Sequence, residues 1–569
     1  MSLRWLRATT LAAAFLPFGA GAALAGQAAA PAADAGIPVQ NDLVKQKCGG
    51  CHRPDAQGRM TRISYRRASP EGWELTIKRM IGLNGLALTG PEARTILKYL
   101  SDNHGLAPEE IKPARWEAER RADDFKYEGD AATQATCTVC HSLGRVMTER
   151  RTKDDWNLLI QMHRGYYPLV DNQPISPEGG FRRTRRADQA PGADNRHPMD
   201  KVVDHAAKVW PLITPEWTAW SAGMQAPKMA GKWAVSGYQT GYGPVFGEFT
   251  ITVDPSAPDA YSTVSDLMVG GKKVVRNGKA TLYTGYQWRG RTQGDGEKGT
   301  WREVMLLERN GREMTGRWFT GAYDETGIEV TLTRVGADPI LTGTSTMSLK
   351  AGSSQTVSFF GANLPSSIDA AAVVVGGGIK VNKVTPVSAG RVDLDLAVAA
   401  DAKDGPRDVT IALATKPSAF VVYSKVDGIK VLPEANLARV GGAVYPKQFA
   451  QFEAVAYANG PDGKPNTKDD LILGPVDAKF TAEEYTSTFG DDDLQFSGNI
   501  DPKGFFTPAL DGPNPERSGN RNNIGDLWVV AQYTPPGTTQ TLKARGFLLI
   551  SPPVFMRWYG PLVDAGGEK

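Results

Sequence analysis

The chain has 569 residues and a formal net charge of +3, from 65 basic and 62 acidic side chains. That length allows about three or four domains, and the near balance of charge gives no pointer to a nucleic-acid partner. Function must therefore be read from motifs and not from bulk composition.

Residues 1–25 read as an export signal. Arg4 and Arg7 precede an apolar run that ends in Ala23-Leu24-Ala25 before Gly26, the order of a charged n-region, an h-region and a cleavage site. The run is short for a membrane span and contains Pro17. Cleavage near Ala25 is expected, leaving an exported periplasmic chain in which no later window approaches transmembrane length.

All four cysteines fall in two motifs, Cys48-Gly49-Gly50-Cys51-His52 and Cys137-Thr138-Val139-Cys140-His141. Two disulfides or a four-thiolate zinc site would use the sulfurs, but neither explains the histidine after each pair. The Cys-x-x-Cys-His pattern is the attachment signature of c-type haem, with two thioethers to the porphyrin and the adjacent imidazole on iron. Two covalent haems are therefore expected, with His52 and His141 as proximal ligands. All six histidines (His52, His104, His141, His163, His197 and His205) lie between residues 52 and 205. Beyond Trp210 there is neither cysteine nor histidine.

The segments after the two motifs resemble one another. "ASPEGWELTIKRMIGLNG" has Ser69 as N-cap and Pro70 at N1, and "RTKDDWNLLIQMHRGYYP" has Thr152 three residues before Asp155. Aligning Trp73 with Trp156 sets Met80 opposite His163, each seven residues and about two helical turns after its tryptophan. Tryptophan and ligand candidate then share a helix face, whereas Met162 points elsewhere. This predicts His52/Met80 for the first haem and His141/His163 for the second. Met60 is an alternative in the first lobe, and His104, His197 or His205 in the second. Thioether ligation favours ferrous iron and bis-histidine ligation ferric iron, so the pair would form a short downhill electron path.

The first lobe closes with "LTGPEARTILKYLSDNHG", where Thr89 and Glu92 suit a capping box, Ile96, Leu97 and Leu100 form the stripe, and Gly105 supplies the stop. The second closes with "PMDKVVDHAAKVW" after an insertion carrying Phe181 to Arg186, a basic loop that reads as solvated or as a partner for haem propionates or an acidic protein. From about Lys228 the pattern becomes alternating. Short strands with Asn277-Gly278 and Asn310-Gly311 as hairpin turns predict an antiparallel barrel or sandwich, and two further β units follow. The loop Asn459 to Asp470 reads as calcium-binding or as a run of turns.

The expected fold is thus multidomain. An N-terminal all-α dihaem cytochrome c domain spans 26–225, with lobes at about 40–110 and 125–220. It is followed by three antiparallel β domains: barrel-like at 226–336, immunoglobulin-like at 337–432 and a sandwich at 433–569.

This order of parts, with the two haem motifs and the "W…MHRGYYP" segment, resembles the alpha subunits of quinohemoprotein amine dehydrogenases over essentially the whole chain. The resemblance implies a periplasmic αβγ heterotrimer that oxidatively deaminates primary amines. It implies a β-propeller subunit, and a small γ subunit carrying cysteine tryptophylquinone. In that arrangement this chain passes electrons from the quinone through its haems to an external acceptor such as a copper protein or a cytochrome c. The quinone needs a cysteine crosslinked to tryptophan, and the haem motifs use all four here. No nucleophile–base constellation stands out, so no catalytic residue is expected on this chain. Two other readings remain: an electron-transfer subunit of a different periplasmic dehydrogenase, and a stand-alone dihaem cytochrome with β binding modules. An enzyme subunit should expose an apolar patch on its β modules.

Overall fold

Two three-residue strands tie the N-terminal third of the chain together. The computed structural model describes residues 35–114, 129–137, 143–166, 194, 196–225, 227–297, 299–320, 326–443, 445–485 and 492–553. The first lobe comprises α1 (Asp42–Cys48), β1 (Arg66–Ala68), α2 (Pro70–Asn84), α3 (Gly90–Asn103) and the single turn α4 (Pro108–Ile111). The second comprises α5 (Ala131–Cys137), α6 (Gly144–Met147), β2 (Glu149–Arg151), α7 (Lys153–Tyr166) and α8 (Pro198–Val209), and α9 (Pro215–Gly223) leads out of it.

Local chemistry accounts for the helix starts. Ser69 accepts from Gly72 N ahead of Pro70 at α2, Thr89 and Glu92 form the reciprocal capping box of α3, and Thr152 Oγ1 accepts from Asp155 N at α7. Trp73 and Ile77 of α2 pack on Ile96, Leu97 and Leu100 of α3. Trp156 and Ile160 of α7 pack on Met199, Val203 and Ala206 of α8. The chain leaves α3 at His104, which is its C-cap, one residue before the expected stop at Gly105.

The expectation of an all-α domain is corrected here. β1 and β2 pair antiparallel with Arg66 opposite Arg151, Arg67 opposite Arg150 and Ala68 opposite Glu149. Three arginine-rich residues before a capped helix read as a loop because they are too short to show alternation. Their pairing depends on a partner far along the chain, as the Arg66–Glu149 contact, which spans 83 residues, shows.

Beneath this pair lies a buried carboxylate. Glu110 Oε2 accepts from Arg67 Nη1 at 2.7 Å and from Ala107 N at 2.8 Å. Its Oε1 accepts from Arg67 Nη2 at 2.8 Å, Arg150 Nε at 3.1 Å and Thr214 Oγ1 at 2.8 Å. One carboxylate therefore joins both lobes to the start of α9.

The next unit is a closed antiparallel barrel in the order β10-β3-β4-β5-β6-β7-β8-β9. Its strands are β3 (Gly231–Gln239), β4 (Gly243–Val253), β5 (Ala260–Val269), β6 (Lys272–Tyr283), β7 (Gln287–Gly294), β8 (Trp301–Leu307), β9 (Glu313–Phe319) and β10 (Ile328–Arg334). Of the two expected hairpin turns, Asn310-Gly311 lies between β8 and β9, but Asn277-Gly278 lies inside β6. Gly278 serves close approach: a Cβ there would fall 2.3 Å from Arg291 O across the sheet. The turn before β6 is at Gly270-Gly271, where both residues have positive φ.

The third unit faces two four-stranded sheets around Val357, Phe359, Leu394 and Phe420. It is not wholly antiparallel, because Ser348–Lys350 runs parallel to Ala414–Tyr423. In the last unit Ala435–Arg439 likewise runs parallel to Leu542–Ser551. In both cases an early strand lies beside the last strand of the same unit, an order that local turn signals do not encode. Gly428–Leu432 pairs with Glu453–Ala458 of the last unit. That places the seam between the third and last units ahead of this strand, not at residue 432.

Glu110→Gln leaves two buried guanidiniums without their counter-charge and is expected to destabilise the chain by about 3–5 kcal/mol in urea unfolding. Burial raises the Glu110 carboxyl, but hydrogen bonds and charge from Arg67, with Arg150, outweigh it and bring the value from 4.5 to about 2. The folded value lies below the unfolded one. The stabilisation is therefore present above pH 4.5 and lost as pH falls through about 2. Wild type should show this acid-side loss more steeply than the glutamine variant.

Candidate functional site

The first haem motif is assembled by the end of one short helix. Asn41 caps α1 by accepting from Val44 N at 3.0 Å, so Cys48 becomes the last helical residue. The turn continues with Cys51 N and His52 N donating to Cys48 O at 3.3 and 2.9 Å. Cys48, Cys51 and His52 are thereby gathered on one turn, and neither sulfur is in a disulfide. His52 Nδ1 lies 2.9 Å from Thr61 O. A carbonyl can only accept, so Nδ1 carries the proton and Nε2 holds the lone pair suited to iron. Burial lowers the His52 pKa and raises that of Cys48, so both favour their neutral forms. A donor set of two unpaired thiols and a tautomer-fixed imidazole fits a covalently attached haem.

In the second lobe Cys137 ends α5, again after a capped start, with Asp130 Oδ2 accepting from Thr133 N at 2.8 Å. Burial pushes its thiol up to about 12. Cys140 and His141 lie outside the described residues, as does the basic loop at 181–186.

The two lobes are related by a pseudo-two-fold axis. Ser69 N donates to Thr148 O at 3.2 Å and Thr152 N to Tyr65 O at 3.3 Å, a reciprocal pair at equivalent repeat positions. Trp73 Nε1 donates to His104 O at 2.8 Å, and Trp156 Nε1 to Trp210 O at 3.3 Å. His104 and Trp210 are the C-caps of α3 and α8 with nearly the same φ, −129° and −127°.

The axis passes between α2 and α7. Arg79 Nη1 donates to Met162 Sδ at 3.0 Å, and these residues are 83 apart, the repeat offset itself. The residue after each is the ligand candidate, Met80 in α2 and His163 in α7. Met80 is partly buried. Its carbonyl receives the capping N–H of Gly85, whose φ of 69° terminates α2. His163 Nδ1 lies 2.8 Å from Leu159 O one turn back, which again puts the imidazole proton on Nδ1. Met60 instead occupies the lobe core at 0% exposure, and its repeat counterpart Leu143 is equally buried. His205 stands edge-on to Trp210 with ring centroids 5.7 Å apart, and His197 caps α8 through Met199 N.

Charged side chains that motif reading missed surround the axis. Arg66 reaches Glu149 at 2.6 Å, Arg151 reaches Glu149 at 2.6 Å and also pairs with Asp155, and Arg62 lies 2.8 Å from Asp155. Burial would raise Glu149, but Arg151 and Arg66 hold it at about 2. Burial lowers Arg66 to about 10, still fully charged at neutral pH. The signal available in the sequence was the arginine pair ahead of each repeat tryptophan.

Four family models match the chain: the haem-binding domain of the quinohemoprotein amine dehydrogenase alpha subunit at 39–203, and its domains II, III and IV at 226–335, 340–424 and 429–561. The chain belongs to the quinohemoprotein amine dehydrogenase alpha-subunit family. Its N-terminal domain is a haem-binding domain, and the alpha subunit works within a multi-subunit amine dehydrogenase. No curated protein matches the sequence. Among solved structures, the redesigned β-barrel mFAP1 bound to DFHBI is 17% identical, with 19% of this chain and 94% of that chain covered, at a TM-score of 0.17. The tandem Ig repeats of Dlar are 11% identical over 38% of this chain and 95% of theirs, at 0.11. Domains 4–9 of the surface layer protein SbsC are 10% identical over 54% and 42%, at 0.14.

Among the described residues of this alpha subunit, no group of three or more His, Cys, Asp or Glu could hold a metal ion. In the loop from Asn459 to Asp470 the acids instead cap the loop's own backbone. Asp462 Oδ1 accepts from Lys464 N and Asp470 Oδ2 from Asn466 N, both at 2.8 Å. No described helix is long and apolar enough to cross a membrane.

His104 is fully buried, and neither ring nitrogen has a hydrogen-bond partner among the described residues. Burial, with the charge of Arg67, lowers it from 6.5 to about 4. The unfolded chain therefore takes up a proton first, and stability falls as pH drops from 6.5 to about 4. His104→Phe, which supplies the aromatic character of its counterpart Trp210, should raise the urea midpoint at pH 5 relative to wild type. The gain should shrink towards pH 7.5.

Proposed function

We propose that this chain is the electron-transfer subunit of an exported, periplasmic amine dehydrogenase. It carries two covalent c-type haems: one on Cys48, Cys51 and His52 with Met80, the other on Cys137, Cys140 and His141 with His163. In this reading a partner subunit bears a cysteine tryptophylquinone that oxidises the primary amine. This chain relays the electrons to an external copper protein or cytochrome. The single observation carrying the proposal is the Arg79–Met162 contact at the pseudo-axis, since it sets the two distal-ligand candidates at equivalent places on helices that touch.

Bound haem supplies one-electron redox chemistry. The chain's residues do the rest. The Thr61 and Leu159 carbonyls orient His52 and His163, and the arginine–carboxylate network fixes one lobe against the other. The cysteine count supports a quinone elsewhere, because the two motifs take all four. We read the two-sheet third unit as immunoglobulin-like. A surface for a propeller or quinone-bearing partner is supported by Val264, Met268 and Val275, exposed at 42%, 41% and 40% on the adjoining strands β5 and β6.

Haem counting by pyridine haemochrome and intact mass should give two haems in wild type. It should give one in a C48S/C51S variant and one in C137S/C140S. In optical and EPR redox titrations, Met80→His should lower the midpoint of the first haem, and His163→Met should raise that of the second. Unchanged spectra and midpoints in either variant would remove that ligand from the assignment.

A further inference from the structure

The link between His52 and the second lobe runs through a strained turn. Thr61 O, which accepts from His52 Nδ1 at 2.9 Å, also accepts from Ile63 N at 2.8 Å across Arg62. Arg62 has φ of 66°, the left-handed region that side chains disfavour, so residues 61–63 form a γ-turn of the rarer positive-φ kind. The turn is gripped from both sides by Met60 N donating to Ser64 Oγ at 2.7 Å and Ser64 N to Met60 O at 3.0 Å.

From the tip of that turn the Arg62 side chain reaches out of its own lobe. Its Nε lies 2.8 Å from Oδ1 of Asp155, whose side chain is 2% exposed in the first turn of α7. Asp155 is itself fixed, by the Arg151 guanidinium on Oδ2 and by its backbone N–H on Thr152 Oγ1. Arg151 continues to Glu149, and Glu149 to Arg66. A contiguous chain of ion pairs thus joins the carbonyl behind His52 to the helix that presents His163.

The repeat does not duplicate this clamp. The residue equivalent to Arg62 is Arg145, but the residue equivalent to Asp155 is Gly72. A side chain at 72 would be crowded, because a Cβ there would lie 3.0 Å from Ala68 Cβ and 3.3 Å from Arg66 Nη2. The carboxylate of Asp155 therefore has no counterpart at residue 72 of the repeat.

We propose that Asp155, a residue of the second lobe, is a positioning residue for the first haem: through Arg62 it holds the γ-turn whose Thr61 carbonyl orients the His52 imidazole. A carbonyl accepting the second ring proton makes the imidazole a stronger donor and favours ferric iron. Releasing the turn weakens that bond and raises the midpoint. The proposal rests on the haem attachment given above.

The test uses the full-length, haem-loaded chain, with potentiometric titration followed by optical and EPR spectra. Asp155→Asn and Arg62→Gln are compared with Asp154→Asn, an exposed control on the same turn. The midpoint lost in C48S/C51S identifies the first haem. Positioning predicts an upward shift of that midpoint in both D155N and R62Q, a smaller one in R62K, and none in D154N. A role through charge alone predicts opposite signs, upward for D155N and downward for R62Q, and would overturn the proposal. Shifts no larger than the control's would overturn it too. Should D155N not fold, the one-third-exposed Arg62 still decides the sign through R62Q. Failure of haem counting at Cys48 and Cys51 would be seen separately, and would remove the attachment and this clamp together.

Discussion

The haem domain depends on how buried charge is neutralised where its two lobes meet. Arg66, Arg67, Arg150 and Arg151 are all buried there, facing Glu110, Glu149 and Asp155. Desolvating so many ions is costly, and apolar packing of the same volume would often be as stable. What the ions add is register. A three-residue strand pairing specifies its alignment weakly by itself. Arg66 of β1 finds Glu149 of β2, and Arg67 and Arg150, which face one another at the axis, share Glu110. A slip by one residue would strand these groups without partners. The lobes are thus locked in one relation, and any groups they carry keep a constant separation.

The same logic extends into the β modules. Arg289 of β7 pairs with Glu71 at the start of α2. Thr284 N donates to Asp102 Oδ1 at 2.7 Å, and Tyr286 OH to Leu106 O at 2.8 Å. Leu106 and Ile111 of the haem domain belong to the barrel's own core cluster with Trp233 and Trp288. The barrel passes the constraint on: Phe246 stacks on Phe360 with centroids 3.9 Å apart, and Glu453 accepts from Tyr238 OH at 2.8 Å. The β modules are therefore fastened to the haem lobes by interlocked polar and apolar contacts.

Much of this was legible in the sequence wherever the signal is local. The caps at Ser69, Thr89 and Thr152, the stripe of α3 and the repeat that aligns Trp73 with Trp156 all follow from short-range chemistry. The two strands β1 and β2 were not legible, because each exists only through a partner far along the chain. The parallel edge pairings of the last two units escaped for the same reason. Asn277-Gly278 misled because a glycine selected for close approach across β6 looks, in one dimension, like one selected for a turn. At the site, motif spacing pointed to the sulfurs and imidazoles, but not to Thr61, Arg62 and Asp155, whose roles arise from three-dimensional proximity.

The duplicated scaffold shows where the two lobes have diverged. Core positions remain interchangeable: Met60 with Leu143, Trp73 with Trp156, Ile77 with Ile160. Differences gather along the axis, where Arg79 meets Met162, Gly72 stands for Asp155 and Met80 stands for His163. A packing constraint acts alike on both copies and preserves such symmetry, whereas a directional task needs the copies to differ. The relay between two haems proposed above is a task of that kind, since two identical sites would offer no gradient. The asymmetry at the axis lies beside the ligand candidates, which is where a redox difference can be introduced without disturbing the fold that carries it.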